Sequence, residues 1–260
     1  MFDVKDGRIL TWSLEGHVVD HCNLRCRHCC SLSPHLPERT TSVSDLSRDL
    51  NAVSRAVRPQ IFKITGGEPL LHPDLLGCLE AARDADIAST IQMTTNGLLI
   101  RRMPTDAWRL LDRLVVSRYS SAPLAPKILA IIESQCDDHN IDLIVKSIDS
   151  FAEMDVAAPG QNGAQTRQTY DDCWLRIRCH MIHEGRFYKC TRPPHIEDVL
   201  RDGEYEVEPL TVNDGVELKG ERLAHRIKNY LELESPLDAC RFCRGASGAQ
   251  HPHAQLKNRP

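Results

Sequence analysis

The chain is poor in aromatic side chains, which make up 5% of its 260 residues. So sparse a set argues against a surface built to stack exposed bases. Nor is there an excess of basic charge: Lys and Arg number 32 against 36 Asp and Glu, a net charge of −4. That balance leaves no electrostatic footprint for nucleic acid or an anionic membrane face. No window holds about 18 consecutive apolar residues, so no membrane-spanning helix is predicted. The opening stretch "MFDVKDGRILTWSLEG" lacks a charged start followed by a long apolar run, which argues against a secretory signal. The expectation is a cytoplasmic protein. With 41% hydrophobic and 26% charged residues, the composition is that of a soluble globular chain. It is long enough for one large domain or a domain with an appendage.

What the sequence has in excess is cysteine, eleven in all. In a reducing compartment disulfides are disfavoured, and a cysteine cluster points to metal binding or catalysis. The odd count leaves at least one thiol outside any complete pairing. Cys22, Cys26, Cys29 and Cys30 crowd into "CNLRCRHCC", and Cys173, Cys179, Cys190, Cys240 and Cys243 form a second group. Cys78 and Cys136 stand alone on expected helices, where a thiol behaves as a small buried hydrophobe.

Apolar spacing predicts strands over 9–20, 60–65, 88–97, 114–120 and 141–148. Between them it predicts helices over 42–57, 73–85, 104–114 and 124–140, the first capped by Ser42 or Ser44. Strand and helix in alternation imply a parallel sheet with crossover helices, an α/β fold. Function in such sheets gathers at the carboxyl ends of the strands. "CNLRCRHCC", "GGEP" (66–69), "TTNG" (94–97) and "SRYSS" (117–121) all lie at or after strand ends, so they are expected on one rim. Residues 158–172, rich in Gly, Gln and Asn, read as a loop or linker. A β-hairpin turning at Glu184-Gly185 follows, then a helix over 221–233, then "CRFC". Residues 246–260 hold few apolar side chains and read as a mobile tail.

Two motifs carry chemistry. Iron–sulfur clusters are held by cysteine thiolates, and a cubane offers four iron corners. Three cysteines spaced Cys22-x3-Cys26-x2-Cys29 would fill three corners and leave one open, as metal catalysis requires. Zinc, with Cys30 or His28 as fourth ligand, is the competing reading. In "GGEP", Gly66 and Gly67 permit close backbone approach, and Glu68 supplies an acceptor for an ammonium group. The competing reading is a helix start with Pro69 in its first turn.

A strand, this cysteine spacing and a second strand ending in "GGEP" together resemble the radical S-adenosylmethionine (SAM) enzymes. The resemblance implies that Cys22, Cys26 and Cys29 hold a [4Fe–4S] cluster whose open iron is chelated by SAM. One electron from the cluster then cleaves SAM to methionine and a 5′-deoxyadenosyl radical, which takes a hydrogen atom from the substrate. It implies further that Glu68 meets the SAM amine. Thr94 or Asn96 and Ser117 or Arg118 sit where SAM carboxylate and ribose contacts arise. His28 takes a position near the adenine that is commonly aromatic. The fifth strand, "LIVKSI", lacks the usual glycine-containing adenine motif. Its Lys146 is read either as an active-site lysine or as a solvated strand-end lysine.

The second cysteine group resembles the auxiliary-cluster appendage of the SPASM/twitch branch. Cys190, Cys240 and Cys243 would hold one auxiliary [4Fe–4S] cluster with Cys173, which fits the family spacing, or with Cys179, opposite Cys190 in the hairpin. A structural zinc is the alternative. The fold implied is an abridged radical SAM β/α barrel over 1–150, a twitch-like auxiliary domain over 151–245 and a tail over 246–260. Length, core and single auxiliary cluster resemble the aminocyclitol dehydrogenases of that branch. The expected activity is hydrogen abstraction from a small polar metabolite, of sugar or aminocyclitol type, in antibiotic biosynthesis. An electron passed to the auxiliary cluster gives a dehydrogenase. A hydrogen returned by the thiol of Cys30, Cys136 or Cys179 gives an epimerase. An electron donor such as flavodoxin or ferredoxin is implied. A ribosomal-peptide maturase is the second expectation, weakened because about 20 residues before Cys22 are too few for a leader-binding domain. A non-enzymatic iron–sulfur or zinc protein is the third, and "GGEP" opposes it. Ser33, His35 and Arg39 are read as substrate contacts or as parts of a surface connection. "TRPPHIED" (191–198) is read as facing the substrate or packing the appendage.

Overall fold

The computed structural model describes residues 2–154, 160–203 and 214–257. In chain order the elements are β1 (Val4–Lys5), β2 (Arg8–Val19), α1 (Val43–Val53), β3 (Val57–Gly66), α2 (Leu75–Asp84), β4 (Thr90–Thr95) and β5 (Arg113–Tyr119). Then come α3 (Pro126–Asp138), β6 (Asp142–Ile148), β7 (Ser150–Ala152), α4 (Gly163–Asp172), α5 (Leu175–Arg178), β8 (His180–His183) and β9 (Arg186–Tyr188). The last are α6 (Ile196–Asp202), β10 (Val216–Glu217), α7 (Leu223–Leu231) and β11 (Gln250–Pro252). Among the described residues no helix is long and apolar enough to cross a membrane.

Strands β2 to β6 lie side by side and parallel, in sequence order, as expected from alternating strand and helix. The helix starts are set locally. The Ser42 side chain accepts from Asp45 N before α1, and Asp74 accepts from Gly77 N before α2, each satisfying one of the donors a helix start leaves free. Side chains alternate across each strand. Leu14, Val18, Phe62, Ile64, Met93, Leu114 and Val116 share one buried core with Leu50, Leu79 and Ile132 of α1 to α3. The other, inner face therefore carries Glu15, His17, Lys63, Gln92, Thr94, Ser117 and Lys146. Register makes rows of them: Glu15 pairs Lys63, Lys63 pairs Gln92, and Ser117 pairs Lys146.

Four expectations are corrected. The helix over 104–114 is a 3-10 turn, Thr105–Leu110, that runs straight into β5. Residues 158 and 159 of the expected linker lie outside the described residues, but the remainder holds α4. Its start has a reciprocal cap, with Asn162 Oδ1 accepting from Gln165 N and Gln165 Oε1 from Asn162 N. The hairpin turns at Glu184-Gly185, both at positive φ, yet it does not stand apart. β8 joins the edge of β2 in parallel, Leu14 against His180 and Gly16 against Ile182, so the main sheet continues through β8, β9 and β10. Residues 246–257 are not a free tail. β11 pairs with β7, and Ala254 and Leu256 exchange backbone bonds with Arg27 and Arg25. Residues 258–260 lie outside the description.

Candidate active site

The two chemical motifs meet because β2 and β3 are neighbours. Gly67 N donates to Val19 O at 2.7 Å and Glu68 N to His21 O at 3.1 Å. Cβ atoms built on Gly66 and Gly67 would stand 2.1 Å from Val19 O and 1.9 Å from His21 O, and Gly66 has a φ of +133°. Only glycine lets β3 end this close to the residues that lead into Cys22.

The Glu68 carboxylate ties strand ends together. It is fully buried. Oε1 accepts from Leu70 N at 3.1 Å and from Thr95 Oγ1 at 2.6 Å, and Oε2 accepts from Asn96 N at 2.8 Å. Burial raises its pKa, and these donors oppose the rise. The group read as a receiver for an ammonium thus also braces the ends of β3 and β4. Asn96 extends that brace to the cysteine loop: its Nδ2 donates to Asn23 Oδ1 at 2.7 Å and approaches Cys22 Sγ at 3.8 Å. Thr94 lies on the inner face and accepts from Gln92 Nε2 at 3.1 Å. Ser117 shares that face. Arg118, one residue on, is exposed on the opposite face, so strand alternation separates the pair the sequence left open. Lys146 is on the inner face and exposed.

All eleven cysteines are free thiols. Burial pushes Cys22 up to about 12, with Glu68 and Cys26 adding to the rise. Cys29 is raised by burial and then by Cys30, Cys26 and Cys22, so the loop gathers these sulfurs within electrostatic reach of one another. N–H groups already point at two of them, Leu24 N to Cys22 Sγ at 3.4 Å and Gln255 Nε2 to Cys26 Sγ at 3.4 Å. Partly buried thiols that would repel one another as thiolates, two of them with an N–H donor nearby, fit a shared cationic cluster. His28 has positive φ and is buried, and its ring meets that of His251 at 4.8 Å. Cys30 is exposed.

The second group assembles from three places: Cys173, Cys190 and the neighbouring pair Cys240 and Cys243. Cys190 is raised by burial and then by Cys243, Cys240 and Cys173. Burial pushes Cys240 up to about 12, with Cys243, Asp214 and Cys173 adding to the rise. Cys179 packs against the same small apolar cluster as Cys173 and Cys190, but its charged neighbours differ: burial pushes it up to about 12, Glu15 and Cys30 add to the rise, and Lys63 opposes it. It therefore faces the inner side of the sheet. Cys136 is buried in the apolar layer under α3, which removes it from the thiols able to meet a substrate.

At the centre of the inner face Glu15 Oε1 accepts from Lys63 Nζ at 2.9 Å, and His17 Nε2 lies 3.6 Å from Glu15 Oε2. Burial raises the Glu15 pKa, but His17 and Lys63 outweigh it and hold the carboxyl at about 2. Sequence reasoning named none of these three, although inward-facing charge on central strands was a signal. It also missed the C-terminal contacts, where His253 stacks on Tyr119 at 4.6 Å and accepts or donates a bond with Ser121 Oγ at 2.9 Å. Of the residues read as substrate contacts, Ser33 is buried. His35 is paired with Asp202 at 2.9 Å, and Arg39 bridges Asp20 at 2.8 Å and Asp198 at 2.5 Å.

A sequence profile described as the radical SAM superfamily matches residues 17–156. GTP 3′,8-cyclase of Trichodesmium erythraeum (strain IMS101) is 32% identical over 96 residues, 35% of this chain and 29% of that protein. GTP 3′,8-cyclase of Streptomyces coelicolor (strain ATCC BAA-471 / A3(2) / M145) is 32% identical over 118 residues, 43% of this chain and 33% of that protein. The chain thus spans about a third of the length of these curated relatives. The crystal structure of BtrN with AdoMet and 2-DOIA superposes with a TM-score of 0.53 at 14% identity, covering 93% of this chain and 96% of that one. That likeness is one of fold. The matched profile, the shared fold and the convergence of the cysteine loop with "GGEP" make the chain a member of the radical SAM superfamily, which uses a [4Fe–4S] cluster and SAM.

Proposed function

We propose that the protein is a radical SAM dehydrogenase acting on a carbinol carbon of a small polar metabolite, of sugar or aminocyclitol type. Cys22, Cys26 and Cys29 would hold the SAM-binding cluster, and Cys173, Cys190, Cys240 and Cys243 an auxiliary one. When bound, SAM and its cluster supply a 5′-deoxyadenosyl radical able to take a hydrogen atom from carbon. The observation that carries the reading is the gathering of the second four thiols from distant parts of the chain. A carbinol that has lost a hydrogen atom must lose one more electron and one proton to become a ketone, and a second redox centre can receive the electron. Glu15, held ionised by His17 and Lys63, is suited to accept a hydrogen bond from a substrate hydroxyl, and Lys63 beside it to donate to a neighbouring one; so acidic a carboxyl is a weak base, and the hydroxyl proton leaves to solvent. The segment 250–257 lying over the cysteine loop supports a small substrate rather than a peptide. BtrN, of the same fold, was crystallised with AdoMet and 2-DOIA. The GTP cyclases align over 96 and 118 residues, under half of the chain, so GTP is not carried over.

One observation favours epimerisation as a second reading. The Cys179 thiol, held protonated by its burial, has a hydrogen atom to return to the substrate carbon. The external electron donor and a proton would then restore the thiol. The test incubates the anaerobically reconstituted chain with SAM, dithionite and a panel of inositols, aminocyclitols and hexosamines in D2O. A product lighter by two hydrogens supports dehydrogenation. A product of unchanged formula with one deuterium at carbon supports epimerisation. 5′-Deoxyadenosine formation no greater than that of a Cys22/Cys26/Cys29→Ala variant overturns both.

A further inference from the structure

Beside the start of the cysteine loop, and apart from its sulfurs, imidazoles crowd around a carboxylate with too few partners. Asp20 follows β2, His183 ends β8, and His195 closes the short turn Pro193–His195 that leads into α6. One potential ligand atom from each lies within 4.8 Å of the other two, and no cysteine belongs to the set. All three are buried, with relative exposures of 2%, 7% and 0%. Both ring nitrogens of His195, and Nδ1 of His183, are enclosed without a hydrogen-bond partner. A neutral imidazole always presents one N–H and one lone pair, and folded proteins rarely bury either without a partner. Packing holds the rings in place: His195 stacks on His17 at 5.7 Å and 16°, and meets His183 edge-on at 5.0 Å and 65°.

We propose that Asp20, His183 and His195 form a binding site for a divalent cation of the zinc class, separate from both cysteine groups. Two imidazoles and one carboxylate are a donor set suited to such an ion and poor for an iron–sulfur cluster. The surrounding contacts orient the ligands as outer partners do at metal centres. Arg39 Nε donates to Asp20 Oδ2 at 2.8 Å, which fixes the carboxylate and leaves Oδ1 for the ion. Glu184 Oε1 lies 3.9 Å from His183 Nε2, which leaves Nδ1. A cavity of about 350 Å³, lined by Asp20, Arg39, Thr41, His183 and Glu184, opens onto the site. It gives the ion a way in and room for a water at the position three protein ligands leave open. The ion would tie the residues just before Cys22 to those just after Cys190, joining the supports of the two cysteine groups.

The test uses the full chain with both cysteine groups first loaded with iron and sulfide, so that zinc cannot take the thiolates. Zn²⁺ alone is then added, loosely held ion is removed by gel filtration, and zinc and iron are counted by mass spectrometry. The expected result is about one zinc per chain over unchanged iron, with X-ray scattering from nitrogen and oxygen at about 2.0–2.1 Å. Asp20→Asn and His183→Leu are each expected to lower zinc retention at least about tenfold while the iron count holds. The wild-type scattering decides by itself if a variant fails to fold. Sulfur scattering at about 2.3 Å, no retained zinc, or undiminished retention in both variants overturns the proposal.

Discussion

Gly67→Ala adds one methyl group where the structure has least room for it. The new Cβ would lie 1.9 Å from His21 O and 2.9 Å from Asp20 O, where real contacts stay beyond 3.0 Å. Both neighbours are backbone, so the two chain segments must part by about 1 Å or more. That parting breaks the bonds from Gly67 N to Val19 O and from Glu68 N to His21 O. Each is worth about 1 kcal/mol, and the forced overpacking adds about 1–3 kcal/mol. The expected loss of about 3–5 kcal/mol lowers Tm by about 10 °C for a chain of this size. The rate suffers more, because the displaced residues lead directly into Cys22. A misplacement of about 1 Å near reacting groups costs about 100-fold. The assay is 5′-deoxyadenosine formation at saturating SAM, run beside a melting curve and an iron count. Gly163→Ala serves as control, since nothing lies within 4 Å of its Cβ and alanine favours a helix start by about 0.5–1 kcal/mol. Wild-type rate, iron content and Tm in Gly67→Ala would refute the claim that these segments must touch.

Glu68→Ala strands three buried donors at about 1–3 kcal/mol each. It is expected to unfold at least about 3 kcal/mol more readily, and a urea midpoint equal to wild type would show the brace to be dispensable. Glu15 has its pKa depressed from an ordinary 4.5 to about 2. Its contribution to stability is therefore complete above about 4.5 and lost as pH falls towards 2, and it amounts to about 3 kcal/mol. Glu15→Gln is expected to flatten the pH dependence of urea unfolding of the cluster-free chain in that window, and an unchanged slope counts against the pairing with Lys63 and His17. Gln255→Ala removes the donor to Cys26 Sγ and the acceptor for Arg25 N. It is expected to speed loss of iron to a chelator and to lower the cluster potential, since hydrogen bonds to sulfur raise it. Equal loss rates and potentials would separate the segment from the cluster.

The core was legible because its signals are local. Alternation marks β2 to β6, a cap marks α1, and the chemistry of the cysteine loop and "GGEP" lies within a few residues of strand ends. Choices that depend on a strand's facing needed the sheet. Ser117 and Arg118 are equivalent as a dipeptide, and only the packing of Val116 against the helices settles which turns inward. Cys173 and Cys179 both pack beside Cys190, and only the assembled sheet shows that Cys179 also meets Glu15 and Lys63. Contacts between distant segments left no trace in composition. Nothing in "CHMIHEG" says that β8 will add to the edge of β2. The C-terminal segment looked mobile because the bonds that hold it are largely backbone bonds, which its polar side chains do not reveal. The imidazole cluster escaped because His17, His183 and His195 share no spacing. The signal for α4 was in plain view, an Asn and a Gln three residues apart, hidden by the glycines around it.

The contact between the cysteine loop and residues 254–256 also sets an order of events. Arg25 and its partner Gln255 are separated by 230 residues. At about 5–20 residues per second, the ribosome takes about 10–50 s to add the second after the first. Throughout that interval the cysteine loop has no partner strand and can be loaded. In a finished chain Cys22 and Cys29 keep part of their surface exposed, but backbone bonds to residues 254 and 256 hold the loop in place. First assembly of a cluster can thus meet an open loop, whereas repair after oxidation meets one already tied to the end of the chain.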